Sequence, residues 1–250
     1  MFQVVVKGVV TTVAMAAAAF GQNAAEEVSL RVLTLGNRAP FVQEVRGGMR
    51  QEVDPPEGSL PPRKVSVGIV SPDPEVEATD DKSLTLRLGE VSTPLKFKNP
   101  ESPVVRLRDD DAGRLWLKQG LSKAKATMLI VWRVGKTWEE TRSLAIDDST
   151  SALPAGACRV VNVAPVEVKM IWGAQRYRLP SGKSVVLKIP DSSASVPLQI
   201  FYTDSSKKLK PCLSTTVEKS SSSRRQWFVY RADRSDARTP IQVLPYSEAG

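Results

Sequence analysis

Between Val166 and Ile189 the chain reads VEVKMIWGAQRYRLPSGKSVVLKI. Three short apolar runs, Val166 to Trp172, Gln175 to Leu179 and Ser184 to Ile189, are separated by Gly173-Ala174 and by Pro180-Ser181-Gly182. In the first run Val166, Val168 and Met170 alternate with the charged Glu167 and Lys169. A period of two places one set of side chains on one face of a pleated strand, and glycine and proline between runs supply the turns that join antiparallel neighbours. This stretch predicts strand, turn, strand, turn, strand.

The same reading extends in both directions. Toward the N-terminus the candidate strands are Val28 to Leu35, Lys64 to Val70, Ser83 to Leu88, Leu95 to Lys98, Val104 to Leu107, Thr127 to Val134, Ser143 to Ile146 and Arg159 to Val163. Toward the C-terminus they are Pro197 to Thr203, Leu213 to Val217, Gln226 to Ala232 and Ile241 to Leu244. One stretch, Ala112 to Ala126, reads as a possible helix, but Leu115, Leu117 and Leu121 keep no clean stripe. Many short strands punctuated by turns predict an all-β protein, a sandwich or a barrel.

The polar, turn-rich run Asp147 to Gly156 divides the chain into a β-rich region at 22–150 and a second at 151–250. Charge follows that division: residues 151–250 hold 15 Lys+Arg and 7 Asp+Glu, a net of +8, whereas residues 22–150 hold 19 and 20, a net of −1. Within the first region, the Pro-rich segment 54–63 removes ladder donors and reads as a connector or a wrapped edge segment. At 41% hydrophobic and 25% charged, the composition excludes a disordered chain and a polytopic membrane protein. The absence of histidine removes the commonest general base and metal ligand, so neither an enzyme nor a metal or cofactor site is expected.

Residues 1–21 read as a signal peptide. Lys7 precedes an uncharged apolar stretch from Gly8 to Phe20, and cleavage is expected after Gly21, leaving the mature chain in the periplasm or at the cell surface. No later window is apolar enough for a transmembrane helix. In an oxidising compartment Cys158 and Cys212 are expected to form a disulfide, with two separate buried thiols as the alternative.

The basic residues of the second region cluster in turns. Lys207, Lys208 and Lys210, with Arg224 and Arg225 after the serine run, form a candidate face for an anionic envelope glycan, lipid or acidic protein. Nucleic acid is not an expected partner for an exported chain. Trp172, Phe201 and Trp227 are candidate core aromatics. Ser181-Gly-Lys-Ser184 lacks the upstream glycine of a phosphate loop and reads as a turn; Asp109-Asp110-Asp111 reads as an acidic turn rather than a calcium loop. Paired acids at Glu139-Glu140 and Asp147-Asp148 leave a carboxylate-dependent hydrolase of envelope polymers as a further alternative.

From Cys158 to Ile189 the chain resembles uncharacterised exported bacterial domains of the DUF4397 type. The likeness lies in a valine-rich strand ending in Asn162-Val163-Ala164-Pro165, a strand closed by Gly173, and a leucine-containing strand after a glycine turn. The resemblance implies an immunoglobulin-like β-sandwich in the C-terminal half and brings no catalytic residues with it. These readings converge on an exported, non-catalytic binding module, with a structural subunit of an envelope assembly, joined through strand edges, as the alternative.

Overall fold

The alternating runs fold as strands. The computed structural model describes residues 27–37, 42–70, 81–98, 103–233, 237 and 239–250, so the expected leader lies outside the described residues. Within these are β1 (Glu27–Leu35), β2 (Val42–Arg46), β3 (Met49–Val53), β4 (Lys64–Val70), β5 (Lys82–Thr85), β6 (Leu95–Lys98), β7 (Val104–Asp109), β8 (Arg114–Gly120) and β9 (Ala126–Arg133). There follow β10 (Thr141–Asp147), β11 (Ala157–Asn162), β12 (Val168–Trp172), β13 (Gln175–Leu179), β14 (Lys183–Lys188), β15 (Ser195–Thr203), β16 (Leu209–Glu218), β17 (Ser223–Arg231) and β18 (Ile241–Ala249). The protein is all-β. The helix considered at Ala112 to Ala126 is instead largely β8, whose apolar residues are taken up by pairing with β7.

Four sheets stack in layers. Sheet β5-β4-β7-β8 packs on β10-β9-β1-β6 around Val65, Val67, Val105, Leu107, Leu30, Val32 and Leu129. Sheet β13-β12-β15-β16 packs on β14-β11-β17-β18 around Met170, Leu198, Ile200, Val160, Trp227 and Val229. The two inner sheets then pack on each other through Leu33, Leu35, Met128, Ile130, Val161, Val163, Phe228 and Tyr230. Strand β1 shows the consequence, since from Val32 onward both of its faces are buried.

The two sandwiches repeat one topology. In each, the first strand lies between an antiparallel edge strand and a parallel partner, which carries the last strand: β6-β1-β9-β10 and β14-β11-β17-β18. The outer sheets match likewise, and both carry a bulge at the corresponding place, between Leu107 and Arg108 and between Ile200 and Phe201. Register aligns Arg31, Leu33 and Leu35 with Arg159, Val161 and Val163, Ile130 with Phe228, and Leu144 with Leu244. Equivalent faces therefore meet at the seam, as in a two-fold dimer interface.

The β2–β3 hairpin is the insertion that breaks the correspondence. Gly47 (φ 59°) and Gly48 (φ 80°) form its two-residue turn, a backbone that glycine adopts without Cβ strain. Among the described residues it forms a ladder only with itself, and Val45 and Met49 are 69% and 66% exposed. With no buried residue among its described side chains, it lacks the alternation by which the other strands are recognised. The Pro-rich segment 54–63 follows and wraps the end of the first sandwich, where the Gly58 carbonyl accepts a hydrogen bond from the Trp138 backbone N–H at 2.8 Å.

Candidate functional site at the cationic end of the second sandwich

Strand register decides which basic residues are neighbours. Val168 pairs with Leu179 and Tyr202, and Thr203 with Leu209, so the turns at 180–182 and 204–208 lie at the same end of the second sandwich. Asn162 pairs with Lys183 and with Val229, which brings the start of β14 and the end of β17 to that end as well. Lys183, Lys207, Lys208, Lys210 and Arg231 gather there, all exposed, with Lys169 and Arg178 one residue further in. Lys169 and Arg178 stand directly opposite each other across β12 and β13, a like-charge pair that repels. Among the described residues the nearby acids are Glu167, 4.0 Å from Arg178, Asp204, whose carboxylate is used within the turn, and Asp233, whose carboxylate is buried.

The 204–208 turn is held rigidly. The Asp204 N–H donates to the Lys208 carbonyl at 2.9 Å, the Lys207 N–H donates to the Asp204 carbonyl at 3.0 Å, and Asp204 Oδ1 accepts from the Lys208 N–H at 2.8 Å. Lys207 takes φ 60°, the sole non-glycine positive φ among the described residues. Leu209, flanked by these lysines, is 48% exposed. The structurally equivalent turn of the first sandwich, between β7 and β8, is Asp110-Asp111-Ala112-Gly113. One topology thus presents a basic turn on one outer layer and an acidic turn on the other, about 30 Å apart at three sheet spacings.

Arg224 and Arg225 do not belong to this group. They begin β17, at the opposite end of the sandwich, separated from Lys207 by the ten-residue length of β16. At about 3.3 Å per residue that is about 30 Å. Arg224 is moreover buried in the seam between the sandwiches, where it pairs with Glu248 and donates to the Asp148 carbonyl at 3.0 Å. Arg225 donates to the Glu218 carbonyl. The single basic face expected from sequence is divided because chain neighbours in consecutive turns of a sandwich alternate between its two ends.

The expected Cys158–Cys212 disulfide is absent, and both thiols are free. Cys158 lies on β11, the second strand of its sheet, whereas Cys212 is the bulged residue of β16, an edge strand of the other sheet. Edge strands β13 and β14 meet on one side, and β16 and β18 on the other. The cysteines are therefore offset by about two strand spacings of 4.8 Å and one sheet spacing of about 10 Å, beyond the roughly 7 Å Cα reach of a disulfide. Cys212 Sγ instead donates to the Ile200 carbonyl at 3.4 Å, and burial pushes both thiols up to about 11. Trp172 and Trp227 are core residues, but Phe201 falls on the outer face of its sheet beside Lys169 and is half-buried.

Three of the four carboxylates considered for catalysis, Glu139, Asp147 and Asp148, have structural partners. Glu139 pairs with Arg114, Asp147 Oδ1 accepts from the Ser149 N–H at 2.9 Å, and Asp148 accepts from Arg31 Nε at 2.9 Å and Gln226 Nε2 at 3.3 Å. Arg31 also bonds Tyr246 and Glu248, closing a polar cluster at the end of the seam that Arg224 occupies. Register makes Arg31 equivalent to Arg159 and Asp148 equivalent to Glu248, so the cluster is a meeting of repeat-related residues. A groove of about 410 Å³ opens beside it, lined by Ser29, Arg31, Ser149, Ser151 and Arg224, but its guanidinium groups are already committed to Asp148 and Glu248. At the other end of the seam Asp233 takes the Asn37 N–H at 2.9 Å and lies 3.6 Å from Arg133. Of these seam residues the sequence marks Asp148 and Arg224 for other roles and leaves Arg31, Glu248, Arg133 and Asp233 unmarked, since nothing local distinguishes a strand arginine in solvent from one between sheets.

No family model matches the chain, and no curated protein matches it either. No helix among the described residues is long and apolar enough to cross a membrane.

Proposed function

We propose that this protein is an exported, non-catalytic binding module of the cell envelope, which holds an anionic envelope component against the cationic end of its second sandwich. The observation that carries this reading is the gathering of Lys183, Lys207, Lys208, Lys210 and Arg231 at one end, with the like-charged Lys169–Arg178 pair beside them. Neighbours of one sign lower stability modestly and gain most from an external counter-charge. An immunoglobulin-like character of this sandwich fits the same use, because such folds present ligands with the loops at one end. The test is retention of residues 22–250 on solubilised envelope at about 0.15 M and 0.5 M salt, where screening lengths differ. Retention lost in high salt, and lost in Lys208→Glu/Lys210→Glu but kept in Arg225→Ala, supports the reading; retention indifferent to these changes overturns it.

The β2–β3 hairpin favours a second reading, an assembly subunit. Among the described residues its strands form ladders only with each other, and its turn is flanked by exposed Val45 and Met49, features of strands that add to another chain's sheet. Val45→Asp/Met49→Asp then abolishes capture of a protein partner that persists in high salt.

A further inference from the structure

We infer that the anionic component is the phosphate-bearing surface of a lipid bilayer, engaged by the rigid turn Lys207-Lys208-Leu209-Lys210; this rests on the anion-binding reading above. Leu209 discriminates among anions. It is 48% exposed, sits between Lys208 and Lys210 at the start of β16, and packs into neither core of the second sandwich nor the seam. A soluble polyanion lying on a convex turn has no use for a protruding leucine. At a bilayer, the same side chain leaves water for the headgroup boundary while the adjacent ammonium groups meet lipid phosphates. Lysine stems suit this arrangement, since their methylenes lie along the apolar boundary with the charge held outward.

The turn is prepared for such contact before binding. Asp204 fixes it through its carboxylate and backbone, and the positive φ of Lys207 is part of that fixed shape, so little backbone freedom remains to be lost on docking. The rest of the end surface supports the same orientation: Lys183 and Arg231 face the same way and extend the cationic area beyond the turn. The acidic turn at Asp110-Asp111 lies about 30 Å away across the layers. That exceeds the screening length of about 8 Å at physiological salt, so it does not cancel the attraction.

The experiment is co-sedimentation of residues 22–250 with vesicles containing about 30 mol% phosphatidylglycerol in phosphatidylcholine, with pure phosphatidylcholine vesicles and immobilised alginate, a lipid-free polyanion, as comparison arms. The expected result is binding to the phosphatidylglycerol vesicles and not to pure phosphatidylcholine. Lys207→Asn/Lys208→Ala/Lys210→Ala should lose about 100-fold in partition, and Leu209→Ser about fivefold, both read at about 0.15 M salt. Asparagine at 207 accepts the positive φ, and thermal melting curves confirm that each variant is folded. Equal vesicle binding by Leu209→Ser, or vesicle binding indifferent to phosphatidylglycerol, overturns the inference. Retention on alginate without vesicle binding overturns it too, while leaving the broader anion-binding function standing. Failure in all arms removes both.

Discussion

Arg31 and Glu248 are 217 residues apart in the chain, yet Arg31 Nη2 donates to Glu248 Oε1 at 2.9 Å across the seam between the two sandwiches. The guanidinium makes further bonds to Asp148 and Tyr246, so one side chain from the first strand holds the end of the tenth and the C-terminal end of the last. Burial works against the charge of each partner. Hydrogen bonds to Glu248 and Asp148 nevertheless raise Arg31 above its ordinary value, and bonds from Arg31 and Tyr246 hold Glu248 at about 2.

This gives the protein an acid-sensitive seam. Because the folded value of Glu248 lies below its ordinary 4.5, its stabilisation is complete above pH 4.5 and is lost as pH falls toward 2. The full contribution is at most about 3 kcal/mol. Urea unfolding across pH 2 to 7 should show this slope in the wild type and a flatter one in Glu248→Gln, which should also be less stable at neutral pH.

Arg224→Ala should weaken the fold and leave anion binding unchanged. The substitution leaves the half-buried Glu248 with one guanidinium fewer and strips a donor from the Asp148 carbonyl, a loss of about 2–4 kcal/mol. Denaturation midpoints together with retention on the anionic matrix measure both halves of the expectation. A stable variant with impaired retention would return Arg224 to the binding surface.

Phe228 occupies the centre of the seam and is fully buried, packed among Leu33, Met128, Ile130 and Val161. Truncation to alanine should cost about 3–5 kcal/mol. Since that loss falls on the contact between the sandwiches, calorimetry should resolve one transition in the wild type and two in Phe228→Ala. A single transition in both would mean the sandwiches are coupled elsewhere.

Both thiols should be silent in the native state. Burial pushes each up to about 11, leaving little thiolate at neutral pH, so Ellman's reagent should react only after unfolding and then with both cysteines. Mass analysis without reductant should show alkylation at Cys158 and at Cys212. Recovery of a cross-linked peptide pair would contradict the placement of these residues on opposite sheets.

Local pattern carried much of the fold. Lys64–Val70, Leu95–Lys98 and Gln175–Leu179 are strands from end to end as their alternation predicts, because one face of each is buried and the other is less so. The hairpin β2–β3 escaped that test, since exposed strands carry no alternation. Of the candidate site, Lys207, Lys208 and Lys210 were legible because they are adjacent in one turn. Arg224 was misplaced because sequence adjacency to an exposed serine run says nothing of what the opposite sheet presses against it.

The sequence by itself determined that this is an all-β chain with its excess positive charge in the second half, because a period of two and a charge count are properties of neighbours along the backbone. Tertiary structure alone decided that the two halves repeat one topology, that Arg31, Arg159, Asp148 and Glu248 meet at a seam, that the cysteines stay apart, and that the lysines stand clear at one end. Alternation states which side of a strand is covered. Register, strand order and the stacking of sheets choose what covers it, and those depend on contacts between residues hundreds of positions apart.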